Sequence, residues 1–332
     1  MRRYDVDAAI LFSDILVISQ AINIPVTMPG GVGILVPEPL KDPEDMAQRI
    51  PNISEIGPEF VSSRLGHVID SVKLIRKKMK DENKSVPLIG FSAAPWTLLF
   101  YSVGGSSKKN AEIGMKWLDD YPEASQTLLD LLTKIVIEYC AAQVEAGCHM
   151  VQIFEAMGMM IDEEHLTKFA LPCLEQISVE LKSRYPEVPL MVFCRGAWYV
   201  LWRKLNDSLC LRTYTFILHL LRFSYMNEQL SKLGYDVVTI DGSVDRAIAR
   251  DTVSGRAGLQ GNYDPQELIE AEDGSKTPET VRATARTLLE SLGPQRLIAN
   301  LGEGLGGKES TTLVKAFVDS IHEESEKLIS AQ

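Results

Sequence analysis

Short apolar runs recur along the 332-residue chain at intervals that leave room for a helix between consecutive runs. Seven such runs are present: Ala8–Ser13, Pro87–Phe91, Met150–Phe154, Leu190–Cys194, Asp236–Ile240, Gly258–Gly261 and Arg296–Leu301. Most of them are continuously apolar, which is typical of strands that are covered on both faces. We expect Ala8–Ser13 to be such a buried strand. The alternation of strand and helix over the whole length predicts an α/β fold with a parallel sheet.

Amphipathic segments fill the intervals between these runs. The segment Phe60–Lys80 places its apolar residues on one stripe and ends in a basic run, which suits the carboxyl end of a helix. The segments Glu123–Glu145, Leu171–Tyr185 and Glu279–Leu292 repeat this pattern. We predict one helix for each segment, and a further helix over Asn227–Leu233.

Polar residues at the ends of the runs bear on how the sheet closes. They are Asp14, Glu155, Arg195, Asp241, Asn262 and the segment from Asn300 to Glu303. An open doubly wound sheet binds its ligand in one crevice, whereas a barrel uses the ends of many strands. We therefore predict a (β/α)8 TIM barrel, although the count of seven leaves one strand missing.

Composition and charge exclude several classes of protein. The net charge of −11 argues against nonspecific binding to nucleic acid. No tract is long and apolar enough to predict a membrane span, and the first residues lack the apolar core of a signal peptide. The five cysteines are scattered without CxxC spacing, so neither a disulfide framework nor a zinc site is indicated. A reducing compartment fits this pattern.

A glycine-rich motif follows the last apolar run. Residues 302–307, GEGLGG, match the pattern G-x-G-x-x-G. A dinucleotide site would need a further strand-helix-strand unit with an acidic residue, and the remaining sequence indicates only one helix. We expect a loop of close backbone approach at the barrel mouth.

Eight blocks of sequence, taken together and in this order, resemble the uroporphyrinogen decarboxylase family. They are DAAILFSDIL at 7–16, PEPL at 37–40, PLIGFSAAPWTLLFY at 87–101, QIFE at 152–155, KFALPCL at 168–174, LGYDVVTID at 233–241, LQGNYDP at 259–265 and ANLGEGL at 299–305. They span nearly the whole chain.

The resemblance implies a single barrel domain over residues 1–332 and a homodimer that binds uroporphyrinogen, with no metal or organic cofactor. It implies a carboxy-lyase that removes the four acetate carboxyl groups of uroporphyrinogen III. The product would be coproporphyrinogen III, in the biosynthesis of heme and chlorophyll.

The resemblance also assigns roles to residues. It gives Asp14 the role of the carboxylate that faces the pyrrole N–H groups and opposes the positive charge developing on the ring. Tyr101 matches the tyrosine that lines the same pocket. It further implies that the substrate is contacted by Phe12, Phe154, Ala156, Arg195 and Glu303.

The chain departs from the family pattern at four places. The family carries an arginine-bearing segment before the point where this sequence starts, and that segment would also supply the missing first strand. A hydroxyl residue is usual at Ala156, and histidine is frequent at Glu303. Residues 198–226 have no counterpart. We therefore expect an N-terminally truncated member with an atypical insert.

Two alternative functions remain open. A non-catalytic porphyrinogen-binding relative would fit Ala156, Glu303 and the absent arginines. A zinc-dependent corrinoid or coenzyme M methyltransferase of the same superfamily fits less well, because only Cys194 lies at a strand end among the expected ligand types. The sequence as written predicts a cytoplasmic protein, and a precursor with a transit peptide would place it in a plastid.

Overall fold

The structure, a computed structural model, describes residues 3–29, 33–104, 111–196 and 227–331. The predicted insert, 198–226, lies outside the described residues. The chain divides into two compact units. The first unit is formed by residues 8–209, and the second unit by residues 210–332 together with residues 1–7. A single barrel domain over residues 1–332 stays a prediction.

Four parallel strands form the sheet of the first unit. They are β1 (Ala9–Ile10), β2 (Leu88–Ala93), β3 (Met150–Glu155) and β4 (Leu190–Cys194). The strands pair in chain order, with Ala93 opposite Phe154 and Glu155 opposite Cys194. All six residues of β2 are buried, as its continuous apolar run predicts.

The first strand is shorter and more exposed than predicted. Only Ala9–Ile10 pairs with β2. Ile10 is 47% exposed and Phe12 is 92% exposed, so the expectation of a buried strand over Ala8–Ser13 is wrong for these two side chains. The reason is position, because among the described strands of this unit β1 pairs only with β2 and is therefore an edge strand.

The described part of this unit also contains helices. They are α1 (Val17–Ala21), α2 (Pro43–Arg49), α3 (Pro58–Arg64), α4 (Gly66–Asp81), α5 (Pro95–Gly104), α6 (Ala111–Asp120), α7 (Pro122–Glu145) and α8 (Leu171–Arg184). Short helical turns lie at Ile53–Glu55, Gly158–Met160, Glu163–His165 and Leu166–Ala170. The predicted helix Phe60–Lys80 is two helices, because Leu65 leaves helical geometry with φ −120° and ψ 7°.

Helix α7 is joined to β2 by a buried side-chain amide. Gln143 accepts a hydrogen bond from the Phe91 N–H at 3.0 Å and donates one to the Phe91 carbonyl oxygen at 3.1 Å. The amide thus satisfies a backbone donor and acceptor that face away from water. Gly90 provides the space for this contact.

We expect Gly90→Ala to destabilise the fold by about 1–3 kcal/mol. A Cβ at this position would lie 2.8 Å from Gln143 Oε1 and 3.1 Å from Cys148 Sγ. Urea unfolding measures the loss. Gly66→Ala is the control, because a Cβ there meets nothing within 4 Å and Gly66 starts α4. Equal unfolding midpoints for the two variants would contradict the prediction.

The second unit has three parallel strands that also pair in chain order. They are β5 (Val237–Thr239), β6 (Gly258–Tyr263) and β7 (Leu297–Leu301). Its helices are α9 (Arg246–Val253), α10 (Pro278–Leu292) and α11 (Thr311–Ser330), with a short turn at Pro265–Leu268. Residues 227–232 are helical, as the sequence predicts.

The loops after β5 and β7 approach each other closely. A Cβ on Gly302 would lie 2.7 Å from the Gly242 nitrogen and 2.8 Å from its Cα. Only glycine fits between these two backbones. The predicted close-approach loop in the GEGLGG motif is therefore present at its first residue. Among the described helices, none has the length and apolar character needed to cross a membrane.

Candidate active site

The residues predicted for the site in the first unit follow the carboxyl ends of its strands. Asp14 follows β1, Ala156 follows β3, and Arg195 follows β4, while Tyr101 lies on α5 directly after β2. Parallel strands place their carboxyl ends at one edge of the sheet, which is where ligands bind in α/β folds. The structure thus brings these side chains to a common edge.

Asp14 is held by its own backbone. Its Oδ1 accepts a hydrogen bond from the Leu16 N–H at 2.8 Å, and its side chain is partly buried. This turn sets the entry into α1, which is a common use of aspartate after a strand. A carboxylate has more acceptor sites than this one bond uses, so the group keeps capacity for a ligand donor.

Tyr101 is influenced by two other predicted site residues. Burial raises the pKa of its phenol above the ordinary value, and the charge of Asp14 raises the pKa further. The positive charge of Arg195 opposes this shift. The three side chains are therefore close enough to interact electrostatically. At neutral pH the phenol keeps its proton and can donate a hydrogen bond.

Three phenylalanine rings form a row across β2, β3 and β4. The Phe154 ring lies 5.9 Å from the Phe91 ring and 5.9 Å from the Phe193 ring, both in edge-to-face contact. Such contacts add to the stabilisation from burial. The row gives this edge of the sheet an apolar wall, and Phe154 is its central member.

Glu155 lies on the opposite face of β3 from Phe154, because side chains alternate along a strand. It is completely buried, and one carboxyl oxygen, Oε2, has no hydrogen-bond partner. Burial raises its pKa to about 8, against the effect of hydrogen bonds from the Thr97 hydroxyl and from the N–H groups of Met157 and Thr97. Glu155 is therefore mostly protonated at pH 7.

This buried acid connects the elements that carry the site. The Thr97 hydroxyl donates to Glu155 Oε1 and accepts from the Met157 N–H at 3.2 Å. Thr97 lies one turn before Tyr101 on α5, and Met157 directly follows Ala156. Sequence reasoning noted Glu155 only as a polar strand end. The available signal was a carboxylate at the end of a mostly apolar strand.

In the second unit, a buried polar cluster occupies the carboxyl ends of β5 and β6. Asp241 Oδ1 accepts from the Ser243 N–H at 2.9 Å and from the Ser243 hydroxyl. Asn262 donates to the Asp241 carbonyl oxygen at 2.8 Å. Glu303 is exposed in the loop after β7. Sequence analysis missed Arg246, which hydrogen-bonds to Asn262.

Metal-binding geometry is not seen in the described ranges. Over these residues, no group of three His, Cys, Asp or Glu side chains is placed to hold a metal ion. The described cysteines, Cys140, Cys148, Cys173 and Cys194, are buried thiols.

The fold places the chain among α/β proteins of the TIM-barrel type. The solved structure of a methyltransferase from Methanosarcina mazei superposes with a TM-score of 0.70 and covers 97% of this chain and 82% of its own. Identity with it is 17%, so this likeness concerns the fold alone. Together with the seven described parallel strands, it confirms the predicted fold class.

Sequence comparison then defines the family. A profile described as uroporphyrinogen decarboxylase (URO-D) matches residues 1–324. The uroporphyrinogen decarboxylase of Salinibacter ruber is 35% identical over 325 residues, which cover 98% of this chain and 80% of that protein. The Homo sapiens enzyme of that name is 35% identical over 333 residues, covering 99% and 80% respectively.

The chain belongs to the uroporphyrinogen decarboxylase family. The predicted family, carboxy-lyase class and role in porphyrin biosynthesis are thereby confirmed. The roles of individual residues stay predictions.

Proposed function

We propose that this chain removes the acetate carboxyl groups of uroporphyrinogen with Asp14 as the carboxylate that faces the pyrrole N–H groups. One observation carries the proposal. Asp14, Tyr101 and Arg195 come from three separate stretches of sequence, yet all three follow the carboxyl ends of strands in one parallel sheet, where both charged groups affect the pKa of Tyr101. A carboxylate, a neutral donor and a cation are the groups that this substrate requires.

The chemistry explains why a carboxylate is needed. A proton adds to the α-carbon of the pyrrole, next to the ring carbon that bears the acetate arm, and the ring becomes a cation. The electrons of the bond to the carboxyl group then flow into the ring as carbon dioxide leaves. A second proton adds to the former methylene carbon while the ring carbon gives up its proton. Each acetate thus becomes a methyl group with net uptake of one proton. A fixed anion near the pyrrole nitrogens stabilises the cationic state.

The other residues have roles that follow from their chemistry. Tyr101 donates a hydrogen bond from its protonated phenol. Arg195 offers a guanidinium, which matches the two oxygens of a carboxylate. Phe154 supplies an apolar surface for the tetrapyrrole. Phe12, Ala156 and Glu303 are proposed as further contacts, and Glu303 has to be protonated or turned away from a substrate with eight carboxylates.

An anaerobic assay tests the proposed function. Uroporphyrinogen III is incubated with the purified chain, and the products are oxidised and separated by chromatography. We expect porphyrins with seven, six, five and four carboxyl groups to appear in succession. If the eight-carboxyl substrate is recovered unchanged at high enzyme concentration, decarboxylation by this chain is ruled out.

A second candidate function is binding of a porphyrinogen without turnover. Ala156 and Glu303 favour it, because the family pattern has a hydroxyl residue and a histidine at these positions. Binding of uroporphyrinogen without release of carbon dioxide would support this alternative. A homodimer and a cytoplasmic or plastid location are further expectations of the proposal.

Tyr101→Phe removes one hydrogen-bond donor and is expected to lower kcat/KM by about tenfold or less, the value of a single neutral hydrogen bond. Tyr185→Phe is the matched control. The Tyr185 hydroxyl donates to Glu145 at 2.7 Å, beyond the end of α8, and its loss should leave activity unchanged. A similar loss in both variants would show that the effect is not local to Tyr101.

A further inference from the structure

An arginine at the carboxyl end of β6 has an unusual environment. Arg246 is the first residue of α9, and its side chain is half-buried. Its Nε donates a hydrogen bond to Asn262 Oδ1 at 2.8 Å, and its Nη2 donates to the Asn262 carbonyl oxygen at 3.3 Å. One edge of the guanidinium is therefore held by a single residue of β6.

Asn262 is itself fixed. It is 3% exposed, and its Nδ2 donates to the carbonyl oxygens of Asp241 at 2.8 Å and Val244 at 3.0 Å. Because both amide hydrogens have carbonyl acceptors, Oδ1 is the atom left to face the guanidinium. The orientation of Arg246 is imposed by buried contacts of the loop after β5, which distinguishes it from an ordinary surface arginine.

Arg246 makes no ion pair within the described residues. Asp245 and Asp264 are close enough to act on its pKa. Each of them, however, accepts a backbone N–H, from Ile248 at 3.0 Å and from Gln266 at 2.9 Å respectively. Burial lowers the pKa of Arg246, but a guanidinium stays charged at neutral pH. Among the residues that the structure describes, this half-buried cation has no paired carboxylate, although the chain carries a net charge of −11.

The free part of this guanidinium suits one class of ligand. Arginine has five N–H donors in a planar fork, and the contacts with Asn262 use only two of them. The remaining donors match the paired oxygens of a carboxylate. The carboxyl ends of parallel strands are also where α/β proteins bind their ligands.

We propose that Arg246, oriented by Asn262, binds a carboxylate group of the substrate at the carboxyl end of β6. The inference rests on the proposed function for the identity of the ligand, which is a multiply carboxylated tetrapyrrole. Arg246 is then a residue for substrate affinity at this strand end.

Binding of uroporphyrin tests this site. Uroporphyrin is the stable oxidised form that keeps all eight carboxylates, and its fluorescence reports binding to the full chain. We expect Arg246→Met to weaken binding by about tenfold or more, as for other hydrogen bonds to charged groups. Arg246→Lys keeps the charge but loses the fork, so an intermediate loss is expected.

A matched control lies at the other end of the same strand. Arg256 precedes β6 and also donates through its Nε, to the Ser231 hydroxyl oxygen at 3.0 Å. Arg256→Met removes the same unit of charge and is expected to leave uroporphyrin binding unchanged. If Arg246→Met binds as tightly as the parent chain, or Arg256→Met loses as much affinity, the proposal is overturned.

A measurement on the unmutated chain covers the case in which Arg246→Met does not fold. Phenylglyoxal modifies accessible arginines, and peptide mass spectrometry reads each one separately. Uroporphyrin is expected to protect Arg246 and not Arg256. Equal modification of Arg246 with and without uroporphyrin, or no uroporphyrin binding at all, overturns the inference.

The two proposals fail in different ways. If the chain releases carbon dioxide but binds uroporphyrin independently of Arg246, only the proposed Arg246 site is ruled out. If the chain binds uroporphyrin through Arg246 but releases no carbon dioxide, the proposed decarboxylase activity is ruled out and the Arg246 site is supported.

Discussion

Asp14→Asn is expected to lower kcat for uroporphyrinogen decarboxylation by about 10²- to 10³-fold, the cost of removing one preorganised electrostatic group from a reaction that develops charge. The substitution keeps the side-chain oxygen that accepts from the Leu16 N–H, so the turn before α1 should persist. It removes the negative charge and adds an N–H group that faces the pyrrole donors. The measurement is the rate of the first decarboxylation in the anaerobic assay.

Asp273→Asn is a close control for this variant. Asp273 Oδ1 also accepts the N–H two residues on, from Ser275 at 2.9 Å, but the turn lies in the segment between β6 and α10. The charge change and the local hydrogen bond are thus the same in both variants. We expect Asp273→Asn to keep the parent rate. Parent-level activity in Asp14→Asn would remove Asp14 from the mechanism.

Glu155→Gln is expected to abolish a large part of the dependence of stability on pH. The pKa of Glu155 is about 8 in the folded chain, against an ordinary value of 4.5. The folded state therefore keeps this proton between pH 4.5 and 8, while the unfolded state loses it. Over this window the free energy of unfolding falls as pH rises, by up to about 1.4 kcal/mol per pH unit from this one group.

Glutamine does not titrate, so the variant should lose this slope. At pH 5 we expect Glu155→Gln to be equal to the parent or less stable by about 1–3 kcal/mol, because its amide hydrogens need acceptors in a buried place. Between pH 5 and pH 8, the free energy of unfolding of the variant is expected to rise by several kcal/mol relative to that of the parent chain. Denaturant unfolding at both pH values measures the two slopes.

Glu59→Gln serves as the comparison, since Glu59 is exposed at the start of α3. It should keep the pH dependence of the parent chain. If the slopes of Glu155→Gln and the parent chain are the same, Glu155 is ionised inside the fold at neutral pH. That result would also require an unseen partner for its Oε2 atom.

Local pattern was sufficient for most of the secondary structure. The run Leu190–Cys194 is β4 as predicted, and the predicted helices Glu123–Glu145 and Glu279–Leu292 differ from α7 and α10 by one residue at the start. These elements are predictable because a helix buried along one stripe and a strand buried on both faces each produce a regular pattern of apolar residues in the sequence. The break at Leu65 is marked only by Gly66, and the apolar stripe that continues on both sides of it conceals the break.

Whether a side chain is buried or exposed was harder to predict than whether its residue lies in a helix or a strand. Phe12 ends an apolar run and was expected to be buried, but β1 is an edge strand in its unit and the ring is exposed. Glu155 ends a similar run but is completely buried, beside hydrogen-bond donors of Thr97 at the start of α5 and Met157 after β3. Neither outcome follows from the residue types.

The sequence by itself determined the α/β class, the family and the position of Asp14 and Arg195 at strand ends, because these depend on local periodicity and on motifs in a given order. Only the tertiary structure decided which groups act on one another. Residues as distant in sequence as Asp14, Tyr101 and Arg195 interact because parallel strands end at a common edge. Arg246 meets Asn262 because the loop after β5 packs onto the end of β6. Such contacts are made through space and leave no pattern in one sequence.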